Sequence, residues 1–169
     1  MSTSISSVDR VRAALAAADH PDTIEAFPDG TRSAADAAAA VGCDVAQIAK
    51  SIVFRAGTRA VLVIASGANR VDMGKVAAAI GQAVKRADGA WVRDTTGFAI
   101  GGVSPVGHLA PPILLLDADL MALDPVWAAA GSPRHVFRTT PAELRRITAA
   151  VVADIREDAT GDAPAASLA

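Results

Sequence analysis

The segment from Gly97 to His108 constrains the fold of this chain more than any other, because it places four glycines, a serine and a proline in twelve residues. Ordering a glycine costs more conformational entropy than ordering any other residue, so this density indicates a tightly curled backbone or one that another group approaches closely. Pro105 fixes one φ angle and makes the bend stiff. Such a loop can direct several backbone N–H groups at a carbonyl oxygen, a carboxylate or a phosphate. Taken alone, a glycine-rich β-turn that binds nothing is the simpler interpretation.

The composition indicates a single soluble domain with limited means of binding nucleic acid. The chain has 169 residues, of which 51% are hydrophobic with many alanines, so a finely packed core is expected. Tyrosine is absent and aromatic residues make up 4%, which argues against stacking platforms for single strands. A net charge of -2 argues against a broad phosphate-binding surface and hence against DNA as a partner. A local basic pocket for the end of a nucleic acid remains compatible with this charge.

The cysteine, histidine and N-terminal patterns indicate a cytoplasmic protein without a metal. Cys43 is the single cysteine, which excludes an intrachain disulfide and a cysteine-rich metal site. The three histidines have no metal-ligand spacing, so neither a metal nor another cofactor is expected. The first twenty residues lack the basic-then-apolar order of a signal peptide, and no apolar run approaches the roughly 18 residues of a membrane span. We therefore expect no contact with a membrane.

Hydrophobic periodicity and turn residues predict an α+β domain. Helical spacing and capping residues predict helices over residues 8–18, 33–41, 73–80, 87–95 and 140–155. Runs of β-branched and apolar residues predict strands over residues 23–27, 51–55, 60–65, 84–86, 112–117, 126–129 and 136–138. Several strands are joined as hairpins and the helices do not alternate regularly with them, so we expect a mixed, largely antiparallel sheet with helices outside it. Residues 1–156 are predicted to form one domain, and residues 157–169 a solvated tail.

The residues alone offer several candidate reactive groups and do not identify a substrate. Lys50 opens an apolar strand, so it can bury its stem and present its ammonium group at a pocket, although without the glycine-rich loop a solvated lysine is the simpler interpretation. Ser104 lacks the GxSxG surroundings of a nucleophile and is better explained as a turn hydroxyl that bonds its own backbone. His108 lies at the end of the loop. Contact with a ligand and a solvent-exposed position are equally compatible with this place in the sequence. Cys43 follows a helix-ending glycine and fits a small buried residue better than a nucleophile.

Three motifs that occur in order resemble the YbaK/EbsC (ProX-like) family. They are QIAKSIVFR at residues 47–55, SGANRVD at residues 66–72 and TGFAIGGVSPVG at residues 96–107. The likeness extends over about residues 20–150, and several separated motifs in order are far more specific than any one of them. This family contains free-standing aminoacyl-tRNA deacylases and the editing insertion domain of bacterial prolyl-tRNA synthetases.

The resemblance implies both a fold and an activity. The fold is a mixed, barrel-like sheet surrounded by helices. The activity is hydrolysis, without a metal, of the ester that joins a wrong amino acid to tRNA, and the expected substrate is proline tRNA that carries alanine or cysteine. The protein would grip the acceptor end of the tRNA, and prolyl-tRNA synthetase is a candidate partner. A non-catalytic module that binds an aminoacyl-tRNA or a nucleotide in the same pocket is the alternative.

The resemblance also implies roles for individual residues. Lys50 matches the functional lysine of the family, which is expected to engage the terminal adenosine or its phosphate. The loop of the family has the pattern Gly-x-x-x-Pro, and its backbone is expected to hold the aminoacyl group. The nucleophile is expected to be a water molecule that the terminal hydroxyl of the tRNA orients, or the thiol of a cysteinyl substrate. The expected site therefore consists of the catalytic residues Lys50, Gly101 and Gly102 and the substrate-binding residues Ser104, Pro105, His108 and Ser132.

One position departs from the family pattern. At the positions where this chain has Gly131, Ser132 and Pro133, the family members that act on alanine have a pattern that resembles Gly-His-Pro. Ser132 in place of a histidine would enlarge the pocket or change its polarity. The sequence therefore does not select between cysteine, alanine and another small amino acid as the group that is removed.

Overall fold

The computed structural model describes residues 6–27, 30 and 33–158, which contain five helices and eight strands. The helices are α1 (Ser7–Ala17), α2 (Ala34–Val41), α3 (Met73–Ile80), α4 (Gly89–Thr96) and α5 (Pro141–Thr148). The strands are β1 (Ile24–Ala26), β2 (Ile48–Ala56), β3 (Arg59–Ser66), β4 (Lys85–Arg86), β5 (Ile113–Asp117), β6 (Val126–Ser132), β7 (His135–Thr139) and β8 (Val151–Ala153). Short 3-10 helices cover Val45–Gln47 and Ala118–Ala122. In this part of the chain no helix combines the length and the apolar character needed to cross a bilayer.

The described strands form one mixed sheet. Its hydrogen-bonded order is β1-β7-β6-β2-β3-β5-β8, and β4 pairs with β2 beside this path. The pairs β1–β7, β6–β7, β2–β3 and β2–β4 are antiparallel, whereas β2–β6, β3–β5 and β5–β8 are parallel. The α+β class and the mixed, largely antiparallel sheet predicted from the sequence are therefore confirmed.

One edge of β2 pairs with two different strands and leaves a gap between them. The other edge pairs continuously with β3. On the gapped edge, Ile48 and Ala49 pair with β6, whereas Phe54 and Arg55 pair with β4. Within the described structure, the backbone of residues 50–53 therefore has no strand on this edge. The segment between α4 and β5, which contains the glycine-rich loop, covers the gap.

Apolar side chains cover both faces of the sheet. The largest cluster contains residues of α1, α4 and α5 together with sheet residues such as Leu62 and Phe137. A second cluster lies under α3 and contains Val63 and Val76. A third places α2 against Trp127. Burial of these aliphatic side chains, at roughly 25 cal/mol for each Å² of apolar surface removed from water, fixes the sheet that positions the candidate site.

Capping residues set the helix boundaries close to where the sequence predicts them. The side chains of Ser33, Asp72 and Thr140 accept backbone N–H groups in the first turns of α2, α3 and α5. Gly42 and Gly81 end α2 and α3 in the left-handed conformation, with φ values of 76° and 75°. The cap on α3 also explains Asp72, which closes the second of the three motifs.

The prediction of a single helix over residues 140–155 is wrong in its second half. Helix α5 ends at Thr148, and Ala149 adopts a left-handed φ of 55°. The following Val151 and Val152 pair in parallel with β5 as part of β8. Alanine favours a helix and valine favours a strand, so the local preference here is balanced and pairing with an available strand edge decides the conformation.

The first residues of the predicted tail pack onto the domain. The N–H of Glu157 donates to the carbonyl of Arg70 at 2.8 Å. Lys75 Nζ donates to carboxylate oxygens of Asp154 and Asp158 at 3.1 and 2.9 Å. Residues 159–169 lie outside the described residues, so the domain boundary stays a prediction.

Candidate active site

A cavity of about 180 Å³, hereafter the first cavity, opens where β2 lacks a neighbouring strand. Its walls come from the start of α2, from β2, from the glycine-rich loop between α4 and β5, and from the β6–β7 hairpin. Its polar residues are Ser33, Lys50, Ser51, Ser132 and His135. The structure thus brings together Lys50, Gly101 and Ser132, which the sequence analysis named separately.

The ammonium group of Lys50 is available to a ligand. Lys50 is half-buried, and within the described residues no hydrogen bond or ion pair engages its Nζ. Burial is the main cause that lowers the pKa of Lys50 below its usual value, and the positive charge of Arg70 lowers it further, while Asp117 acts in the opposite direction. A partly desolvated cation without a partner attracts an anion such as phosphate strongly.

A buried carboxylate fixes the turn that carries Arg70. Asp117 is 1% exposed and accepts hydrogen bonds from the N–H of Ser66 at 3.0 Å and from Asn69 Nδ2 at 2.8 Å. These charge-assisted bonds hold the turn after β3 in one conformation. Arg70 itself enters no ion pair within the described chain. The second motif therefore supplies a second cation close to Lys50.

Replacing Arg70 by glutamine is expected to raise the pKa of Lys50, because it removes a positive charge that disfavours the ammonium form. The chain has three lysines, so isotope-labelled lysine allows each titration to be followed by magnetic resonance. In the wild type, Lys50 should titrate at lower pH than Lys75, whose pKa the hydrogen bonds to Asp158 and Asp154 raise. R70Q should move the Lys50 midpoint upward and leave that of Lys75 in place. An unchanged or lower Lys50 midpoint would contradict this coupling.

The glycine-rich loop lies directly on the β6–β7 hairpin. Gly101 adopts a left-handed φ of 95°, and a Cβ atom at Gly102 would lie 2.7 Å from the Cα of Ser132. The N–H of Gly102 donates to the carbonyl of Ala99 at 3.0 Å. Within the described chain, the N–H groups of Gly101 and Val103 have no hydrogen-bond partner. Gly102 therefore shapes the loop, and Gly101 and Val103 supply the free donors beside the cavity.

Arg10 of α1 holds both ends of this loop. Its Nη2 donates to the carbonyl of Gly97 at 2.8 Å, and its Nε donates to the carbonyl of Gly107 at 3.2 Å. Its guanidinium also lies 4.8 Å from the centroid of the buried Phe98 ring. Helical periodicity alone places Arg10 off the apolar face of α1, so the sequence analysis missed this clamp.

Ser104, Pro105 and His108 belong to the second half of the glycine-rich loop, and none of them lines the first cavity. Ser104 is fully buried, and its Oγ accepts the N–H of Val106 at 3.2 Å, as expected of a turn hydroxyl. His108 Nε2 donates to the carbonyl of Ser104 at 2.6 Å, and the ring packs edge-on against Phe98. Burial is the largest cause that lowers the pKa of His108, which favours the neutral ring. This arrangement gives Ser104 and His108 a part in holding the loop, and direct contact of Ser104, Pro105 or His108 with a substrate stays a prediction.

Comparison with known proteins identifies the domain. The family model of the aminoacyl-tRNA editing domain matches residues 28–147. The chain belongs to this family. A crystal structure of a protein proposed to be a trans-editing enzyme for prolyl tRNA synthetase is 44% identical and has a TM-score of 0.86, covering 92% of this chain and 100% of that chain. The structure of the hypothetical protein APE2540 is 27% identical with a TM-score of 0.81, covering 88% and 99%.

A further relative of this editing domain is the uncharacterized protein YwhH of Bacillus subtilis (strain 168). It is 30% identical over 139 residues, which cover 82% of this chain and 88% of YwhH. The chain and these relatives therefore correspond over nearly their whole lengths. The family resemblance carried by the three motifs is confirmed.

In this editing domain, Ser132 and His135 form a hydrogen-bonded pair in the wall of the first cavity. Ser132 Oγ lies 2.6 Å from His135 Nδ1 and also accepts the N–H of Arg134 at 3.0 Å. The two residues face each other across the end of the β6–β7 hairpin, where the register shifts. The wall that contains Ser132 thus also contains an imidazole, that of His135. The sequence analysis missed His135, and its position three residues after Ser132 in a tight turn was the signal.

Cys43 has none of the surroundings that activate a thiol. Its Sγ lies 3.4 Å from the carbonyl of Asp44, and it does not line the first cavity. Burial is the main cause that raises its pKa, so the thiolate is disfavoured. The structure therefore supports the interpretation of Cys43 as a small packing residue.

Proposed function

We propose that this editing domain is a trans-editing hydrolase that deacylates mischarged tRNA, with proline tRNA carrying cysteine or alanine as its substrate. One observation carries the proposal: Lys50 and Gly101 line the same cavity of about 180 Å³, and in the described structure neither the ammonium group of Lys50 nor the N–H of Gly101 has a hydrogen-bond partner. The crystal structure of the relative proposed to act with prolyl tRNA synthetase supports the choice of tRNA. Action in the cytoplasm at the acceptor end of tRNA, with the synthetase as a candidate partner, belongs to the same proposal.

The proposed reaction uses the backbone rather than a side-chain nucleophile. The N–H groups of Gly101 and Val103 stabilise negative charge on the carbonyl oxygen of the ester, as in other oxyanion sites. Lys50 holds the terminal phosphate and thereby fixes the ester against the loop. Water, oriented by the terminal hydroxyl of the tRNA, adds to the carbonyl carbon. The bond from this carbon to the ribose oxygen then breaks, the proton passes to that oxygen, and the free amino acid and tRNA are released.

The size and polarity of the first cavity support a small side chain as the group removed. The side chains of Ala34, Ala37 and Ala128 line it, which leaves room without deep apolar contact. Ser132 and His135 add a polar wall that can bond a thiol or hydroxyl. Discrimination by a single methylene is weak, whereas discrimination through a hydrogen bond is strong. The polar wall therefore suits a cysteinyl ester, and the part lined by alanine residues suits an alanyl ester. Both esters remain candidate substrates.

Deacylation of proline tRNA charged separately with alanine, cysteine, serine and proline tests the proposal. We expect selective release of one noncognate amino acid well above the rate of spontaneous hydrolysis, with prolyl-tRNA left intact. Release of proline as fast as the others would contradict an editing role. Failure to release any of the four would contradict hydrolysis of this substrate class.

A non-catalytic module that binds aminoacyl-tRNA or a nucleotide is the second candidate. It is favoured by the departure at Ser132, because loss of the histidine that the resemblance implies for alanine-directed members can leave a pocket that binds without turnover. Stable binding of a mischarged tRNA whose ester persists as long as in free solution would support this candidate. Rapid turnover of any of the four substrates would exclude it.

A further inference from the structure

The first cavity offers one side chain that exchanges a proton readily near neutral pH. No aspartate or glutamate of the described chain lines it, and its serine hydroxyls are too weakly basic to hold a proton. Lys50 is the cation assigned to the substrate phosphate. The imidazole of His135 is therefore the one base that the described lining provides for a reaction in this cavity.

Ser132 lies between this base and the glycine-rich loop. A Cβ atom at Gly102 would lie 2.7 Å from the Cα of Ser132, so the serine backbone is in contact with the loop whose neighbouring N–H groups are free. The register of the β6–β7 hairpin shifts between Ala129 and Ser132. Irregularities of this kind redirect side chains and are frequent beside active sites. Ser132 is thus placed to contact both a group held by the loop and His135.

The hydrogen bonds of Ser132 leave it one free position. Its Oγ lies 2.6 Å from His135 Nδ1 and accepts the N–H of Arg134 at 3.0 Å. A serine hydroxyl has one proton to donate and two lone pairs. When the hydroxyl donates to Nδ1, one lone pair stays available to a water molecule in the cavity. Within the described residues His135 Nε2 has no hydrogen-bond partner, so it can carry the proton of the neutral ring.

We propose that Ser132 and His135 form a proton relay that takes up the proton of the attacking water. As the water oxygen bonds to the ester carbonyl carbon, the water proton passes to Ser132 Oγ, and the proton of the serine hydroxyl passes to His135 Nδ1. When the bond from this carbon to the ribose oxygen breaks, the imidazolium returns the proton through Ser132 to that oxygen. Both side chains regain their starting state, and no acyl bond to the chain forms.

This role rests on the proposed function and completes its proton balance. The terminal hydroxyl of the tRNA orients the water, and the N–H groups of Gly101 and Val103 stabilise the oxyanion. Neither of these takes up the proton that the water releases before the ribose oxygen departs. The relay holds that proton in the interval.

Charged residues on the elements around His135 influence how readily its ring takes up this proton. Strand β7 pairs with β1 and β6, α2 packs against it at Val136, and β2 forms another wall of the first cavity. The charged groups of these elements and of the adjoining turn are Glu25 on β1, Asp36 on α2, Lys50 and Arg55 on β2, Arg138 on β7 and Arg134 in the turn. The cations oppose a positive charge on the ring, and the two carboxylates favour one.

Magnetic resonance of labelled histidine tests the direction of the hydrogen bond without a substrate. The chain has three histidines, and the signals lost in His135→Asn identify the ring of interest. The neutral ring of His135 should carry its proton on Nε2, because Nδ1 must accept the hydroxyl of Ser132. A neutral ring protonated on Nδ1 would overturn the relay.

The pH dependence of deacylation tests the catalytic role. His135→Asn should lower kcat about a hundredfold, because the asparagine carbonyl can accept the Ser132 hydroxyl but cannot take up its proton. The ratio of wild-type to variant kcat should rise with pH and level off above the midpoint of the His135 ring, and this ratio cancels the titration of the substrate amino group. A ratio that does not change with pH would assign a structural role and overturn the relay.

A double variant tests whether the two residues act as one unit. Ser132→Ala should lower kcat to the level of His135→Asn, and the combined variant should fall no further, because each change interrupts the same proton path. Losses that multiply in the combined variant would overturn the relay. The control His20→Asn changes a histidine that lies 2.9 Å from Thr139 Oγ1 and does not line the cavity, so it should keep the wild-type pH profile.

The outcomes separate failure of the relay from failure of the proposed function. Hydrolysis by the wild type with unchanged rates in both single variants would overturn the relay and leave the hydrolase in place. An acyl group found on Ser132 after rapid quenching would make this residue a nucleophile and also overturn the relay. Absence of hydrolysis by the wild type would overturn the proposed function, and the relay with it.

Discussion

Replacement of Lys50 by alanine is expected to reduce kcat/KM for deacylation of the preferred mischarged tRNA by a factor on the order of 10² to 10³. The ammonium group is unpaired in the described structure and half-buried beside the free donors of the loop, so its removal leaves the substrate phosphate without its cation. The fold should be retained, because Lys50 is only half-buried and its Nζ makes no hydrogen bond or ion pair in the described structure. Single-turnover deacylation and thermal unfolding measure the two quantities.

Two matched variants make the Lys50 experiment specific. Lys50→Arg keeps the charge and should retain more activity than the alanine variant. Lys75→Ala removes a lysine that pairs with exposed Asp154 and Asp158, and such surface pairs contribute little, so full activity is expected. Wild-type activity in Lys50→Ala would remove this residue from the proposed mechanism.

Gly102→Ala is expected to lower kcat/KM by about a hundredfold, although Gly102 donates no free hydrogen bond to the cavity. The added Cβ would lie 2.7 Å from the Cα of Ser132. A backbone atom such as this Cα cannot rotate away as a side chain can, so the loop would have to move. Displacement of reacting groups by about 1 Å costs on the order of 10² in rate. Overpacking at this contact should also destabilise the fold by roughly 1–3 kcal/mol.

The control for Gly102 is Gly74→Ala in the first turn of α3. There the new Cβ would meet Asp72 Oδ1 at 3.1 Å, and no residue of α3 lines the first cavity, so activity should persist. Deacylation rates at a temperature well below the unfolding midpoint of each variant separate lost geometry from lost stability. A Gly102→Ala protein that is folded and as active as the wild type would show that the loop tolerates displacement.

Local sequence signals predict the elements of this fold well, because their causes are local. The caps at Ser33, Asp72 and Thr140 and the stops at Gly42 and Gly81 need only neighbouring residues to act. The error at residues 149–155 arises where the local preference is balanced. Pairing with β5 then decides the conformation, and the sequence of α5 contains no information about that partner.

The sequence predicts a residue of the candidate site only where that residue belongs to one of the three motifs. Lys50 and Gly101 fall in motifs and line the same cavity, as the resemblance implies. Arg10 could not be recognised, because its contacts depend on a tertiary neighbour: it reaches a loop almost ninety residues further along the chain. For His135, the position three residues after Ser132 in a tight turn was the one available signal.

The clamp from Arg10 to the carbonyls of Gly97 and Gly107 makes the first helix and the glycine-rich loop a single cooperative unit. Undocking of α1 would release both loop ends in the same event, so the amide protons of the loop should exchange with solvent no more slowly than the helix opens. A packing change at Leu15, buried on the core face of α1, would therefore alter the fraction of molecules with a formed loop. Under the proposed mechanism, activity then depends on a helix whose residues do not line the first cavity.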